Sequence, residues 1–368
     1  MRRVTLLLLS GGGHTGRNVV AALEQRRTGL RLIAISDTPD EPALFNFDAV
    51  YLAPTLSRDF AGFERRMLDI FAKEKPDLVV PCRDEDVVWL AGLAERRPDL
   101  RGGLLCGTLA IAEMVNDKWK SFEFCRAHGL PFAPSMASGD AAGVDAFIDR
   151  HGLPLVAKPR RGVDSKGVFL LSTRAQVTGA MARPDYVVQQ YLGEPEAVYA
   201  FLERMKREGL PLIHSFQGDK RSLQMLIGPQ GTFEHVLCAR ILATAHNART
   251  ITPDPDPEAL RIANLCARVF AEAGWRGPLN VQCQPAPGGE LMIHEFNARF
   301  TGATSSRRLV GLDEVGTAIR VFARHGIAAD FPWRECPMVA REHFASRAAD
   351  SSSVRRLAER GEWMCDQD

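Results

Sequence analysis

The stretch PLNVQCQPAPGGELMIHEFNARFTGATSSRR (278–308) decides the fold. Gly288-Gly289 suits a two-residue hairpin turn, because glycine adopts the positive backbone angles such a turn requires. That turn predicts two antiparallel strands with Gln282 opposite Glu295 and Asn280 opposite Asn297. Side chains two apart share a face of a strand, so these four point one way. On the second strand that face is expected to read Leu291, Ile293, Glu295, Asn297, a carboxylate continuing an apolar row. Such a carboxylate needs a counter-charge. Oxygen donors without thiolate or imidazole suit a hard cation. One carboxylate with neutral amide oxygens suits Mg2+ that keeps waters and shares nucleotide phosphates, with Mn2+ the alternative ion. The other reading puts Glu295 at the sheet rim in water or paired with Arg299.

Working outward, GLPLVAKP (152–159) reads as a strand ending in Lys158, and RRGVDSKG (160–167) as a polar loop. VFLLS (168–172) and YVVQQYL (186–192) are the returning strands. A lysine at the mouth of a sheet supplies a point charge to polyphosphate, and backbone N–H groups of a loop supply directional donors. Arg160, Arg161, Ser165, Lys166 and two glycines make this loop such a candidate, although a solvated hairpin tip has the same composition. The spacing is not G-x-x-x-x-G-K-[ST], which excludes a P-loop. VYAFLER, LPLIHSFQ and EHVLCARIL read as further antiparallel strands, interrupted by the helix DPEALRIANLCARVFAEAG (256–274).

The first hundred residues differ. Short apolar runs such as VTLLLL (4–9), LRLIAIS (30–36) and DLVVP (77–81) alternate with helical patterns, which implies a doubly wound parallel sheet. SGGGHTGRN (10–18) is a glycine turn feeding a helix, but it lacks the third glycine of G-x-G-x-x-G on schedule. A tight turn packing helix on strand is therefore preferred to a nicotinamide site. Asn116 or Asp117 can cap the helix that follows. The chain thus reads as α/β first and α+β afterwards, with an appendage from 331 carrying a short basic helix.

Forty-six Lys and Arg balance 45 Asp and Glu over 368 residues, so bulk charge favours neither nucleic acid nor an anionic membrane. The eight cysteines show no C-x-x-C pair and read as reduced thiols. The apolar run after Met1-Arg2-Arg3 is too short for a signal peptide, and no run is long enough for a membrane span. A cytoplasmic enzyme or binding protein with a small-molecule partner is expected.

Together these segments resemble the ATP-grasp superfamily, in the branch similar to the carbamoyl-phosphate-synthase large subunit. The markers fall in order: N-D-K (116–118), V-A-K (156–158) with its loop, V-V-Q-Q-Y-L-G-E-P-E (187–196), N-V-Q (280–282) and H-E-F-N-A-R (294–299). The resemblance implies a pre-ATP-grasp domain over 1–115. It implies a two-lobed ATP-grasp domain over 116–330, divided into 116–185 and 186–330, and leaves 331–368 as the appendage. It implies ATP and Mg2+ as cofactors. Lys118 and Lys158 would contact nucleotide phosphates, with the loop and its Ser165, Lys166 and Gly167 folding over the triphosphate. Gln189, Gln190, Tyr191 and Leu192 would line the adenine, and Glu196 would take the ribose hydroxyls. Gln282, Glu295 and Asn297 would hold the metal, and Arg299 would sit near the γ-phosphate. Many relatives carry glutamate at the positions of Gln189 and Gln282, and the loop is poorer in glycine than theirs.

The reaction so implied is a carboxylate-amine ligation. ATP phosphorylates a carboxylate to an acyl phosphate, which an amine attacks, leaving ADP and phosphate. Phosphoryl transfer mainly needs positioning and charge neutralisation, which agrees with the lack of G-x-S-x-G. His14, His128, His214 and His235 read as ordinary rather than catalytic. The loop FTGATSSRRLVG (300–311) offers Thr301, Gly302, Thr304, Ser305, Arg307 and Arg308 for the acceptor, expected to be an amino acid or its equivalent. The rival is that an arginine pairs with Asp313 or Glu314 at the surface. Phosphorylation of bicarbonate or carbamate, a degenerate nucleotide-binding scaffold and a nicotinamide oxidoreductase are the alternative functions. A homodimer is the base-rate assembly.

Overall fold

The computed structural model describes residues 3–162, 165–210, 220–243, 249–324, 340–341 and 349–365. Val163 and Asp164 of the polar loop, His214 and nearly all of the strand expected at 210–217 lie outside these residues.

The first region alternates β1 (Val4–Leu8), α1 (His14–Leu23), β2 (Leu30–Ser36), β3 (Ala49–Leu52), α2 (Phe60–Glu74), β4 (Leu78–Val80) and α3 (Asp84–Arg96). These four strands are parallel and ordered β3-β2-β1-β4, as the strand-helix alternation predicts. Successive residues of β1 enter different cores, Leu6 and Leu8 one and Leu7 and Leu9 the other, so the strand is covered on both faces.

Helices α4 (Leu109–Val115) and α5 (Lys118–Ala127) lead into β5 (Ser135–Ala137), α6 (Val144–His151), β6 (Leu155–Pro159), β7 (Phe169–Leu171), α7 (Arg174–Met181) and β8 (Tyr186–Gln190). Their strands form a sheet of order β5-β8-β6-β7 with a small core of its own, in which Leu155, Ala157 and Val188 meet Val144, Ile148 and Val177.

Next come α8 (Pro195–Glu208), β9 (Lys220–Ile227), β10 (Phe233–Ala243), β11 (Arg249–Pro253), α9 (Pro257–Glu272), β12 (Gly277–Pro285), β13 (Leu291–Asn297), α10 (Thr304–Leu309) and α11 (Glu314–Phe322). VYAFLER, read as a strand, lies within α8. Val198, Phe201, Leu202 and Met205 follow a helical spacing, and Pro195 takes the first turn, where its missing N–H is harmless.

The antiparallel sheet has the order β13-β12-β9-β10-β11-β14, with β14 at Ala340–Arg341. Its inner face shares one continuous core with α2, α3 and α9, so the first region and this sheet are packed together while the four-stranded sheet stands apart. The described end of the appendage, α12 (Ser351–Arg360) and β15 (Glu362–Met364), returns to the first sheet. There β15 pairs antiparallel with β3 and Leu357 enters its core, so this segment covers a sheet edge rather than trailing from the chain.

Candidate active site

The small sheet presents Lys158 on the face opposite its core, because neighbouring Ala157 occupies that core. Lys158 Nζ donates to Gln189 Oε1 and to the His294 carbonyl, each at 2.8 Å. Gln189 Nε2 in turn donates to Ser135 Oγ at 2.9 Å. Gln189, expected beside adenine, thus orients the lysine. Burial pushes the Lys158 ammonium down to about 7; Glu295 opposes this, while Lys118 and Lys220 reinforce it.

The opposing wall is the hairpin of β12 and β13. Asn280 faces Asn297 and Gln282 faces Glu295, as expected, but the route differs from the two-residue turn. Ala286 N donates to the Glu290 carbonyl at 2.8 Å, enclosing the longer loop Pro287-Gly288-Gly289, where Gly289 takes a φ of 91°. One extra residue, His294, then bulges from β13, since Ile293 pairs with Cys283 and Glu295 with Gln282. The two offsets cancel at Glu295. They do not cancel in facing: Leu291 and Ile293 share the core with Phe296, which puts Glu295 and Asn297 on the opposite face. The expected apolar row ending in a carboxylate is therefore corrected by the bulge. The bulge also frees the His294 carbonyl from the ladder and aims it at Lys158. Among the described residues the buried His294 Nε2 has no hydrogen-bond partner, and burial followed by the three nearby lysines keeps this ring neutral.

Glu295 finds its counter-charge in Lys118, 3.8 Å away, and not in Arg299. Arg299 instead clasps Asp84 at the start of α3 through Nε and Nη2, at 2.8 and 3.1 Å, and Nη2 also donates to Asn297 Oδ1. Asp84, Asn116, Lys118, Gly162 and Glu295 border a narrow cleft. Among the described residues no group of three His, Cys, Asp or Glu side chains could hold a metal. One carboxylate with the amides of Gln282 and Asn297 fits magnesium brought by phosphates better than an ion held by protein alone.

Asp117 is the residue that caps α5, accepting from Trp119 N and Lys120 N. In the loop, Ser165 and Lys166 are exposed, and Gly167 has a φ of 74° with no room for a Cβ, which would lie 2.9 Å from the Tyr186 hydroxyl. Gln190 N donates to the Pro134 carbonyl, Leu192 is buried beyond half-buried Tyr191, and Glu196 is exposed in the first turn of α8.

The loop expected to hold the acceptor is mostly engaged with the protein itself. Arg307 and Glu314 form an ion pair at 2.8 Å with both side chains only 1% exposed, and Arg307 Nη2 also donates to Thr301 and Thr304. Ser305 Oγ donates to Asn18 Oδ1 at 2.6 Å, and Arg308 Nη1 to the Ala22 carbonyl at 2.6 Å. These contacts arise because α10 packs on α1, whose first residue, His14, lies so close to Gly302 that a Cβ there would meet its ring. Arg307 is thereby engaged within the protein, and its pairing with Glu314 is in the core rather than at the surface.

Sequence reasoning missed Asp84 and Lys220. Asp84 lies just beyond β4, beside the point where the order of the first sheet reverses, which is a signal for a ligand crevice. Lys220 has no motif around it; its influence on Lys158 and His294 emerges only once β9 is placed.

No family model matches the chain. It is 28% identical over 179 residues to the formate-dependent phosphoribosylglycinamide formyltransferase of Nitratidesulfovibrio vulgaris, covering 48% of this chain and 42% of that protein. The chain therefore spans about two-fifths of the length of that relative. It is also 28% identical over 371 residues to the phosphoribosylamine-glycine ligase of Caulobacter vibrioides, covering 94% of this chain and 80% of that one. Among solved structures, the biotin carboxylase domain of Hydrogenobacter thermophilus 2-oxoglutarate carboxylase, in complex with MgADP and bicarbonate, superposes with a TM-score of 0.62. It is 14% identical and covers 89% of this chain and 72% of that chain. The chain has the ATP-grasp fold. Within this fold the four-stranded and six-stranded sheets meet where Lys158 donates to the His294 carbonyl.

Proposed function

We propose that the chain is an ADP-forming carboxylate-amine ligase that activates its acid as an acyl phosphate. The observation that supports this most is the meeting of Lys158 and β13 across the cleft, with Lys118 3.8 Å from Glu295 and Lys220 near enough to act on Lys158. Lys118 and Lys158 neutralise the phosphates, with Ser165, Lys166 and Gly167 over them. Gln190, Tyr191 and Leu192 flank the base, and Glu196 takes the ribose. Gln282, Glu295 and Asn297 would hold magnesium, which would supply charge neutralisation to the phosphates. Arg299, fixed by Asp84, steadies the phosphoryl group as the carboxylate oxygen bonds to phosphorus and the bond to the departing ADP oxygen breaks. The amine then attacks the acyl carbon, and phosphate leaves with the bonding pair while the nitrogen loses its proton.

The deciding experiment measures phosphate release with amino acids and other carboxylates, singly and in pairs with amines. Release that needs both partners, with a coupled product, supports ligation. Release with bicarbonate alone supports carbamoyl-phosphate-type chemistry, and tight ATP binding without any release supports a scaffold. We infer cytoplasmic residence from seven described cysteines that are all free thiols, and a homodimer from the prevalence of two-fold assemblies. Among the described residues no helix is long and apolar enough to cross a membrane.

A pH effect accompanies this reading. Phosphate beside Lys158 raises its affinity for a proton, so ATP binding should take up protons above pH 7 and weaken as pH rises further. Calorimetry in buffers of different ionisation heat checks this. Equal apparent heats in all buffers at pH 8 would exclude a titrating Lys158.

A further inference from the structure

We infer that Arg160 is a positioning residue that straps the polar loop to the helix carrying Lys118, rather than a ligand of the triphosphate; its role in nucleotide binding rests on the reading above. Arg160 Nε donates to Asp117 Oδ1 and Oδ2 at 3.0 and 3.1 Å, and Nη2 donates to Oδ2 at 2.7 Å. Asp117 is 1% exposed, and the same carboxylate caps α5. The Arg160 backbone is pinned twice more: its N donates to the Asp185 carbonyl at 2.8 Å, and its carbonyl accepts from Lys118 N at 2.9 Å. Lys118 Nζ then donates to the Gly162 carbonyl at 3.2 Å.

One carboxylate therefore fixes the first turn of α5 and the root of the loop in a common frame. Lys118 sits on the helix side of that frame, at the cleft, and the loop's backbone donors are on the other. A fork of guanidinium N–H groups closed on a buried carboxylate is directional and resists rotation, which a single ammonium contact does not. The arrangement engages most of the polar edge of Arg160 on protein, while Arg161, exposed and 4.0 Å from the same carboxylate, and exposed Lys166 face solvent. Its consequence is coupling: displacement of the loop root must disturb Lys118.

Asp117→Asn separates the two duties of the carboxylate, since asparagine caps a helix about as well as aspartate but carries no charge for Arg160. The full-length protein, Asp117→Asn, Arg160→Gln, the double variant and Arg160→Lys are compared by amide hydrogen exchange without nucleotide and by binding of ATP with magnesium. Exchange in residues 160–162 and 165–168 and in the first turn of α5 should rise together in both single variants. ATP affinity should fall about tenfold in each, by no more in the double variant, and be partly restored in Arg160→Lys. Unchanged exchange in Asp117→Asn overturns the strap. Wild-type affinity in Asp117→Asn with a large loss in Arg160→Gln also overturns it, because Arg160 would then act on phosphate directly. If the unaltered protein binds no ATP, the functional reading fails, while the exchange arm still decides the strap.

Discussion

Glu295→Gln is expected to lower carboxylate-dependent ADP release by about 10²–10³-fold or more while the fold survives. The substitution keeps the shape of the side chain and removes the one carboxylate on the face shared by Gln282 and Asn297. It also removes the partner that Lys118 approaches at 3.8 Å and the charge that opposes the depression of Lys158. Both lysines then face each other with less negative charge between them, which favours ATP phosphates in the ground state. Binding of ATP should therefore suffer far less than turnover, a separation characteristic of an interaction needed in the transition state. Lys158→Ala should show the opposite balance, with affinity lost along with rate. Turnover and ATP binding are measured for both variants at half-saturating magnesium, with thermal unfolding as the control. A glutamine variant that turns over like the unaltered protein would mean that Glu295 is no metal ligand.

That these two strands pair was legible from the glycine turn, although the expected partners hold only because the longer loop and the bulge offset each other. The bulge was not. A strand with His294 inserted has the same composition as one without it, and only packing of Ile293 and Phe296 into one core decides between them. The first sheet was legible from its short apolar runs, buried on both faces, and the N-D-K helix from its cap. VYAFLER misled because seven residues hold too little of either period, and Pro195 upstream was the stronger signal. Ion pairs were the least legible. Arg299 and Asp84 are 215 positions apart, and nothing local in either segment announces the other. Arg160 looked like a phosphate ligand because a basic loop implies solvent, whereas Asp117 was already spoken for as a cap and can accept from both.

Arg307→Ala is expected to destabilise the fold by about 3–5 kcal/mol, because Glu314 would stay buried without its counter-charge. The pair already has little in reserve: among the described residues Arg307 Nη1 and Glu314 Oε2 lack hydrogen-bond partners. Its loss would also strip the Arg307 donor from Thr301 and Thr304, loosening the turn directly after Arg299. Removing both charges together, as in Arg307→Met with Glu314→Leu, should recover most of the stability, since apolar replacements leave no uncompensated charge. A substrate-clamping arginine behaves otherwise: Arg307→Ala would then raise KM for the acceptor and leave unfolding unchanged. Thermal and denaturant unfolding of the single and double variants, beside acceptor KM, separates the cases. A stable Arg307→Ala protein with raised KM would return Arg307 to the substrate site, whereas a drop in Tm of roughly 10 °C reversed in the double variant assigns it to the core beneath that site.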